Sequence, residues 1–581
     1  MKKLLLFLFL MQSVNHLASA QLTPFEKSKD ANVTAQYSEV VSFYEALDSK
    51  YSQVKMLTCG LTDIGKSLQL VVLSRDKVFD PVLIRKQNKR VLLINNGIHP
   101  GEPEGIDASM MLARDLLEKD ELPKDVVICI IPVYNIDGSL NRGTSRINQN
   151  GPESYGFRGN YQNLDLNRDF IKGDSRNSQS FQEIFNAWKP EVFVDNHTSN
   201  GADYQYVITL IPTQKDKLQP LLAEYLSTTM LPNLYTGMEK AGYPLTPYVN
   251  SVGETPDSGI EGFLETARYS TGYAALHNAI GFMPETHMLK PYKQRVASTY
   301  ELMQQVVNLV QRDAKVIGEN KKKADNLVKT QTRFPLRWQL DKQKFELFNF
   351  KGYEAKYKLS ELSGLNRLYY DRNAPFEKEI KVWDEYVANV EVEKPVAYIV
   401  PQAWQKVINL LKLNGVEMQQ LRTDSAIDLE MYYIDDYKTV QRPYEGHYIH
   451  SNVKLRPRLQ KMNFYSGDYV VYVNQPQNRY IVETLEPEGV DSFFAWNFFD
   501  SVLGQKEHFS AYVFEDEAAS LLRNDEQLSK LFHDEKLKNP ELFKTASATL
   551  DWVYRHSDYY EKTHLRYPVG RLINDINLDL K

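Results

Sequence analysis

The chain is poor in cysteine: its 581 residues include only Cys59 and Cys129. Two cysteines cannot build a disulfide framework, so the fold must be stabilised by hydrophobic cores. Both lie inside apolar segments, where we expect buried thiols that pack as small hydrophobic side chains. A single disulfide between them stays open, because the sequence does not give the distance between their Cα atoms.

The chain also lacks a strong charge excess. Its 69 basic and 75 acidic residues give a net charge of −6 and a pI of about 6.1, which argues against nucleic-acid binding as the main function. Hydrophobic residues make up 42% and charged residues 25% of the chain, as in soluble globular proteins. A chain of this length is expected to form two or more cores.

The first twenty residues have the pattern of a secretory signal peptide. Lysines at 2–3 precede an apolar segment at 4–11, and small residues at 18–20 form a cleavage site. The apolar segment is far too short to span a bilayer. Cleavage would leave Gln21 as the N-terminus, without a cysteine for lipid attachment. We therefore expect an exported protein, periplasmic or extracellular, with no stable membrane span.

Four near-continuous apolar segments alternate with helical patterns in the first half of the chain. They lack the alternation of a half-exposed sheet, so they predict central strands covered on both faces. The predicted fold class is therefore α/β, with a mixed, largely parallel central sheet flanked by helices. The segments are residues 91–97, 126–135, 192–197 and 279–285.

A change of pattern further along predicts a second domain. A long amphipathic stretch at 291–329 is followed by extended segments and by a β-α-β pattern at 396–421. We divide the chain into the signal peptide at 1–20, a first domain at 21–325, and an α/β or β-rich accessory domain at 326–581. The sequence does not indicate the role of the accessory domain or the oligomeric state.

Polar side chains follow each of the four predicted strands where it ends. Ligands of such sheets collect at the carboxyl ends of the strands, so we expect these side chains to form one site. They are His99 and Glu102, Asn135 and Asp137, Asp195, Asn196 and His197, and Glu285 and His287.

The segment HPGEPEG carries His99 and Glu102 on a turn stiffened by two prolines and two glycines. An imidazole and a carboxylate suit zinc, whose catalytic sites commonly have three protein ligands, two histidines and a glutamate being one such set. His197 is the candidate third ligand and Glu285 the candidate general base. Glu104 is a rival of Glu102, but the three-residue spacing from His99 favours Glu102.

These elements together resemble the M14 family of zinc carboxypeptidases, the carboxypeptidase A family. The resemblance covers about residues 35–320 and suggests an exported bacterial member with a C-terminal extension. The motifs that carry it are His99-x-x-Glu102, Asn167-Arg168 within NLDLNRDF, the strand-end His197, and Glu285 within FMPETH.

The resemblance implies hydrolysis of the C-terminal bond of a peptide that ends in a free carboxylate. It makes His99, Glu102 and His197 the ligands of one Zn²⁺ per chain. It also makes Glu285 the general base that takes a proton from the attacking water and passes it to the leaving amine.

The resemblance further implies that Asn167 and Arg168 hold the substrate carboxylate, for which a guanidinium offers a planar fork. The family places another arginine upstream of this pair to stabilise the oxyanion. Arg142, Arg146 and Arg158 are candidates. We favour Arg146, because Arg-x-Asn before an Asn-Gly turn resembles the family's usual sequence there, although the stretch to Asn167 is longer than usual.

Several residues keep alternative interpretations. The tyrosine that closes over the substrate in the family could be Tyr269 or Tyr273. His447 and His450, in EGHYIH, are interpreted as surface or interface residues, because no matching carboxylates follow them. The activity itself has two rivals: an exported amidase or cell-wall peptide carboxypeptidase of the same family, and a non-catalytic peptide-binding module.

Overall fold

The computed structural model describes residues 21–581, so the predicted signal peptide lies outside the described residues. Among the helices of the described chain, none is long and apolar enough to cross a membrane. Cys59 and Cys129 are both free thiols, and Cys129 is buried. Both cysteines are therefore unpaired, as expected, but Cys59 is only partly buried and not fully buried as the sequence suggested.

Between residues 21 and 330 the chain forms ten strands. Nine of them form a single mixed sheet, and the ninth in sequence pairs elsewhere. They are β1 (Val54–Leu61), β2 (Ser67–Leu73), β3 (Arg90–Asn95), β4 (Val126–Ile131), β5 (Val192–Asp195), β6 (His197–Ser199), β7 (Ile208–Pro212), β8 (Leu245–Pro247), β9 (Ile260–Glu261) and β10 (Ile280–His287).

The strand order of the sheet is β1-β2-β4-β3-β5-β10-β7-β8, with β6 paired to β10. The four central strands, β4, β3, β5 and β10, run parallel to one another. All residues of β3, β4 and β5 are buried. These strands correspond to the four apolar segments, so the predicted fold class is confirmed.

Helices flank this sheet. Helix α4 begins directly after Pro103 and packs its apolar face on α10, while α9 packs on β10. The predicted amphipathic stretch at 291–329 is two helices, because the helical path breaks at Asp313. The helices are α1 (Pro24–Lys27), α2 (Tyr37–Lys50), α3 (Pro81–Lys86), α4 (Glu104–Glu118), α5 (Ile136–Leu140), α6 (Arg176–Trp188), α7 (Pro220–Tyr225), α8 (Leu231–Lys240), α9 (Ser270–Leu276), α10 (Tyr292–Arg312) and α11 (Ala314–Thr330).

The second half of the chain is rich in strands and contains five further helices. The strands are β11 (Arg333–Leu340), β12 (Glu346–Leu359), β13 (Asn366–Trp383), β14 (Tyr386–Glu393), β15 (Ala397–Val400), β16 (Gln419–Gln420), β17 (Ser425–Thr439), β18 (His450–Phe464), β19 (Tyr469–Tyr472) and β20 (Gly570–Leu572). The helices are α12 (Gln405–Leu413), α13 (Asn478–Leu485), α14 (Ala511–Asn524), α15 (Glu526–Lys538) and α16 (Ala546–Arg555).

These later strands form three sheets. The largest has six strands in the order β16-β19-β15-β20-β17-β18, β11 pairs with β14, and β12 and β13 form a long hairpin. β13 also pairs with β9 from the first half of the chain.

The two halves of the chain share one continuous hydrophobic cluster. Polar contacts join them as well: the buried Asn414 accepts a hydrogen bond from the Tyr273 hydroxyl at 2.6 Å and donates one to Gln182 at 3.1 Å. Arg268 forms an ion pair with Asp491 at 2.7 Å. The structure thus places the C-terminal half directly against the first, while the boundary at residue 325 stays a prediction.

Candidate active site

The site lies where the central parallel strands end. The turn after β3 carries His99 and Glu102, and the Glu102 amide donates a hydrogen bond to the His99 carbonyl at 2.8 Å. β6 begins at His197, and its pairing with β10 sets Glu285 directly beside His197. Because the strands run parallel, side chains that are far apart in sequence meet at this edge.

His99, Glu102 and His197 form a compact group of possible metal ligands, whose donor atoms all lie within 4.8 Å of one another. Glu102 Oε2 is 3.3 Å from Nδ1 of each histidine. All three side chains are buried, and the buried His99 Nδ1 has no hydrogen-bond partner in the described chain. Two imidazole nitrogens and a carboxylate that converge on one point fit a zinc ion.

The other nitrogen of each imidazole contacts a carboxylate. His99 Nε2 lies 2.7 Å from Asp165 Oδ1, and His197 Nε2 lies 3.0 Å from Asp195 Oδ2. Such partners orient metal-binding histidines and favour the proton on the outer nitrogen, which leaves Nδ1 free to bind a cation. Asp195, one of the polar residues at the strand ends, therefore contacts a predicted ligand. The sequence did not single out Asp165.

Charges around the ligand group favour the ionised form of Glu102. Burial by itself would raise the pKa of Glu102, but the neighbouring His99 and Arg146 hold that pKa well below its ordinary value. Glu285 behaves differently: burial, helped by the nearby Glu102 and opposed by the charge of His197, raises its pKa to about 8. The two carboxyl groups thus have different proton affinities within one cleft.

The remaining strand-end residues do not join the ligand group. Asn196 donates a hydrogen bond to Asn96 at 2.8 Å, and Asn135 caps α5. The ring of His287 contacts the carbonyl of Ala202 at 2.8 Å.

The predicted rival Glu104 has its own partners. It forms an ion pair with Arg295 at 2.5 Å and accepts a hydrogen bond from Thr198 at 2.7 Å. The preference for Glu102, based on its spacing from His99, agrees with this arrangement, because Glu104 does not belong to the ligand group.

A cleft of about 200 Å³ opens beside the ligand group, and Asn167 and Arg168 lie in its wall. The guanidinium of Arg168 lies over the Tyr269 ring, with its central carbon 4.5 Å from the ring centroid. Its Nη1 donates to the Asn167 carbonyl at 2.8 Å, and its Nε donates to the Tyr444 hydroxyl at 2.8 Å. Arg168 is thus held at several points and still faces the cleft.

Two of the three candidate oxyanion arginines reach the cleft. Arg146 Nη2 is 3.0 Å and Arg158 Nη1 is 3.3 Å from Glu102 Oε1. Arg142 instead donates a hydrogen bond to the carbonyl of Ser154 at 2.5 Å and does not line the cleft. Arg146 and Arg158 therefore both lie close enough to the ligand group to be the oxyanion arginine, whereas Arg142 does not.

Of the two candidate tyrosines, Tyr269 lines the cleft, whereas Tyr273 is fully buried in the core. The cleft also contains Tyr248, Phe263 and Glu265, which the sequence did not single out. Glu265 is buried and accepts hydrogen bonds from the amide and hydroxyl of one threonine in α9. No local motif marks these three positions.

A larger cavity of about 630 Å³ adjoins the cleft. Its walls come from the first half of the chain and from the β12–β13 hairpin, and most of its lining is apolar. Ile211, Tyr248 and Phe263 line both spaces.

Comparison with known proteins identifies relatives of this chain. Residues 40–213 match the family model of the Peptidase_M14 zinc carboxypeptidases. The chain is 21% identical over 420 residues to Carboxypeptidase 2 of Trichophyton rubrum and 20% identical over 420 residues to that of Trichophyton equinum; each alignment covers 69% of this chain and 72% of the relative.

Similar solved structures include a putative carboxypeptidase A from Shewanella denitrificans, with 17% identity and a TM-score of 0.36, which covers 47% of this chain and 69% of the other. They also include carboxypeptidase A from Helicoverpa armigera, with 16% identity and a TM-score of 0.38, covering 51% of this chain and 78% of the other.

The ligand group predicts the metal content of the purified protein. We expect about one zinc per chain by elemental analysis, and we expect His99→Ala or His197→Ala to lose it, because each removes one of three donors. Asp165→Asn should bind zinc roughly 10- to 100-fold more weakly, because the outer contact of His99 is weakened. His508→Ala, at an exposed position, is the matched control. Wild-type metal content in His99→Ala would contradict the assignment.

Proposed function

We propose that this chain, which carries an M14 zinc carboxypeptidase domain, removes C-terminal residues from peptides that end in a free carboxylate. The observation that carries this proposal is the convergence of His99, Glu102 and His197 on one point, in a cleft that also contains Glu285 and Arg168.

His99, Glu102 and His197 are the residues that would hold the metal. A Zn²⁺ ion bound there would act as a Lewis acid on the scissile carbonyl and on water, and its charge would favour the carboxylate form of Glu285. Asp165 and Asp195 keep both imidazole rings turned toward the same point.

Glu285 is the proposed general base. Its place beside His197 puts its carboxyl group within the cleft, next to the ligand group. The carboxylate takes a proton from the attacking water and later delivers that proton to the nitrogen of the leaving amine. A raised pKa suits this role, since the same group must both accept and release a proton near neutral pH.

Arg168 and Asn167 are the proposed binding site for the substrate carboxylate. The side-chain amide of Asn167 makes no hydrogen bond within residues 21–581, and its buried Oδ1 is without a partner. A guanidinium beside a free amide can bind the two oxygens of a carboxylate. Arg146 is proposed to stabilise negative charge on the scissile carbonyl oxygen, and Arg158 lies close enough to share that role.

Substitution of Glu285 tests the chemical step. Glu285→Gln keeps the size of the side chain but cannot accept the proton, so we expect kcat to fall at least 100-fold with wild-type zinc content. Steady-state kinetics and elemental analysis on the same preparation measure both quantities. Glu254→Gln, at a solvent-facing carboxylate outside the cleft, is the control. Near wild-type turnover in Glu285→Gln would contradict the mechanism.

A peptide and its C-terminal amide test the substrate class. We expect the wild-type enzyme to hydrolyse the free acid far faster than the amide, because only the acid can pair with Arg168. Arg168→Ala should lose this preference mainly through a higher KM for the acid. Arg146→Ala should instead lower kcat for the substrates it still cleaves. Equal rates on acid and amide in the wild type would favour an amidase.

We also propose that the protein is exported, since the charge and apolar pattern of residues 1–20 is that of a signal peptide. N-terminal sequencing of the protein recovered outside the cytoplasm should begin at Gln21. If the protein is found only in the cytoplasmic fraction and still begins at Met1, export is contradicted.

A further inference from the structure

The segment EGHYIH, expected from the sequence at a surface or interface, reaches the candidate active site. It belongs to the loop between β17 and β18, and we call residues 444–447 the hairpin tip. Tyr444 and His447 exchange backbone hydrogen bonds of 2.8 and 3.1 Å. Glu445 and Gly446 between them have φ angles of +50° and +80°, as a two-residue type I′ turn requires.

Tyr444 contacts the arginine that is proposed to bind the substrate carboxylate. The Tyr444 hydroxyl accepts the hydrogen bond from Arg168 Nε, on the edge of the guanidinium opposite to Nη1. Together with the Tyr269 ring and the Asn167 carbonyl, this contact fixes the plane and rotation of the guanidinium. Nη2 is left without a partner in the described chain, and Arg168 lines the cleft.

Glu445 contacts the neighbouring segment. Its Oε2 accepts a hydrogen bond from the backbone amide of Asp165 at 2.8 Å. Asp165 Oδ1 in turn contacts His99, and Asp165 also accepts the amide hydrogen bond of Asn167 at 2.9 Å. The hairpin tip therefore holds both ends of the short segment that carries Asn167 and Arg168.

The hairpin tip is itself firmly anchored. His447 Nε2 lies 2.7 Å from Asp174 Oδ2, and Asp174 is also paired with the buried Lys172 at 2.8 Å. The Tyr444 ring stacks on Trp496 at a centroid distance of 6.3 Å. Arg268 lies over both rings, 5.6 Å from that of Tyr444 and 4.8 Å from that of Trp496. These anchors keep the Tyr444 hydroxyl in one position.

We propose that the hairpin tip is part of the peptidase site and that Tyr444 is a positioning residue for Arg168. By fixing Nε, it directs the terminal nitrogens of the guanidinium at the carboxylate of the substrate. The C-terminal half of the chain thereby contributes to the selection of free chain ends. This inference rests on the proposed role of Arg168.

Tyr444→Phe is a sharp test, because it removes one oxygen and keeps the ring that stacks on Trp496. We expect KM for the peptide acid to rise roughly tenfold, as for the loss of a hydrogen bond to a charged group. Turnover of the amide, zinc content and Tm should stay at their wild-type values. Tyr448→Phe is the matched control: Tyr448 lies in the same loop, is 51% exposed, and its hydroxyl has no contact with Arg168.

The other outcomes separate this inference from the proposed function. If the wild type prefers the acid and Tyr444→Phe keeps the wild-type KM for it, the positioning role is overturned and the carboxypeptidase activity stands. If Tyr444→Phe lowers Tm and slows both substrates equally, Tyr444 is only a packing contact and the inference is overturned. If the wild type does not distinguish acid from amide, the role of Arg168 is wrong and the inference falls with it.

Discussion

The parallel register of the central strands is the constraint on which the site depends. β3 and β5 pair so that Asn95 lies opposite Asp195, and β6 and β10 pair so that His197 lies opposite Glu285. A slip of one residue would turn side chains to the other face of the sheet. The buried, apolar β3, β4 and β5 resist such a slip, so packing far from the cleft sets its geometry.

The same edge concentrates buried charge, and the carboxylates of Glu102 and Asp165 there have charged partners. Glu102 faces two histidines and two arginines, and Asp165 contacts both His99 and Arg158. Buried ions are costly unless they are paired. The charged partners of Glu102 explain why its carboxylate stays ionised. Glu285 has weaker compensation and a pKa of about 8. The difference between these carboxyl groups is the basis for giving them different roles, one as ligand and one as base.

The central strands could be predicted from the sequence, and so could the convergence of His99, Glu102 and His197 on one point, because both leave local patterns. Continuous apolar segments marked the central strands, and polar residues at their ends had to meet at one edge. Tyr269 and Tyr273 were harder to distinguish, because the start of α9 between them decides which one faces the cleft. The choice among Arg142, Arg146 and Arg158 depended on the path of an irregular loop, which periodicity does not describe.

Contacts between distant parts of the chain could not be predicted from the sequence. Tyr444 and Arg168 are separated by 276 residues, and nothing in the pattern around either residue indicates the other. The contact follows from the long β17–β18 hairpin and from the stacking of Tyr444 on Trp496. Since one turn contacts both Asp165 and Arg168, the second half of the chain is coupled to the metal side and to the carboxylate side of the cleft. A domain boundary predicted near residue 325 from the sequence pattern therefore does not delimit the proposed site. Residues on both sides of that boundary contribute to the site.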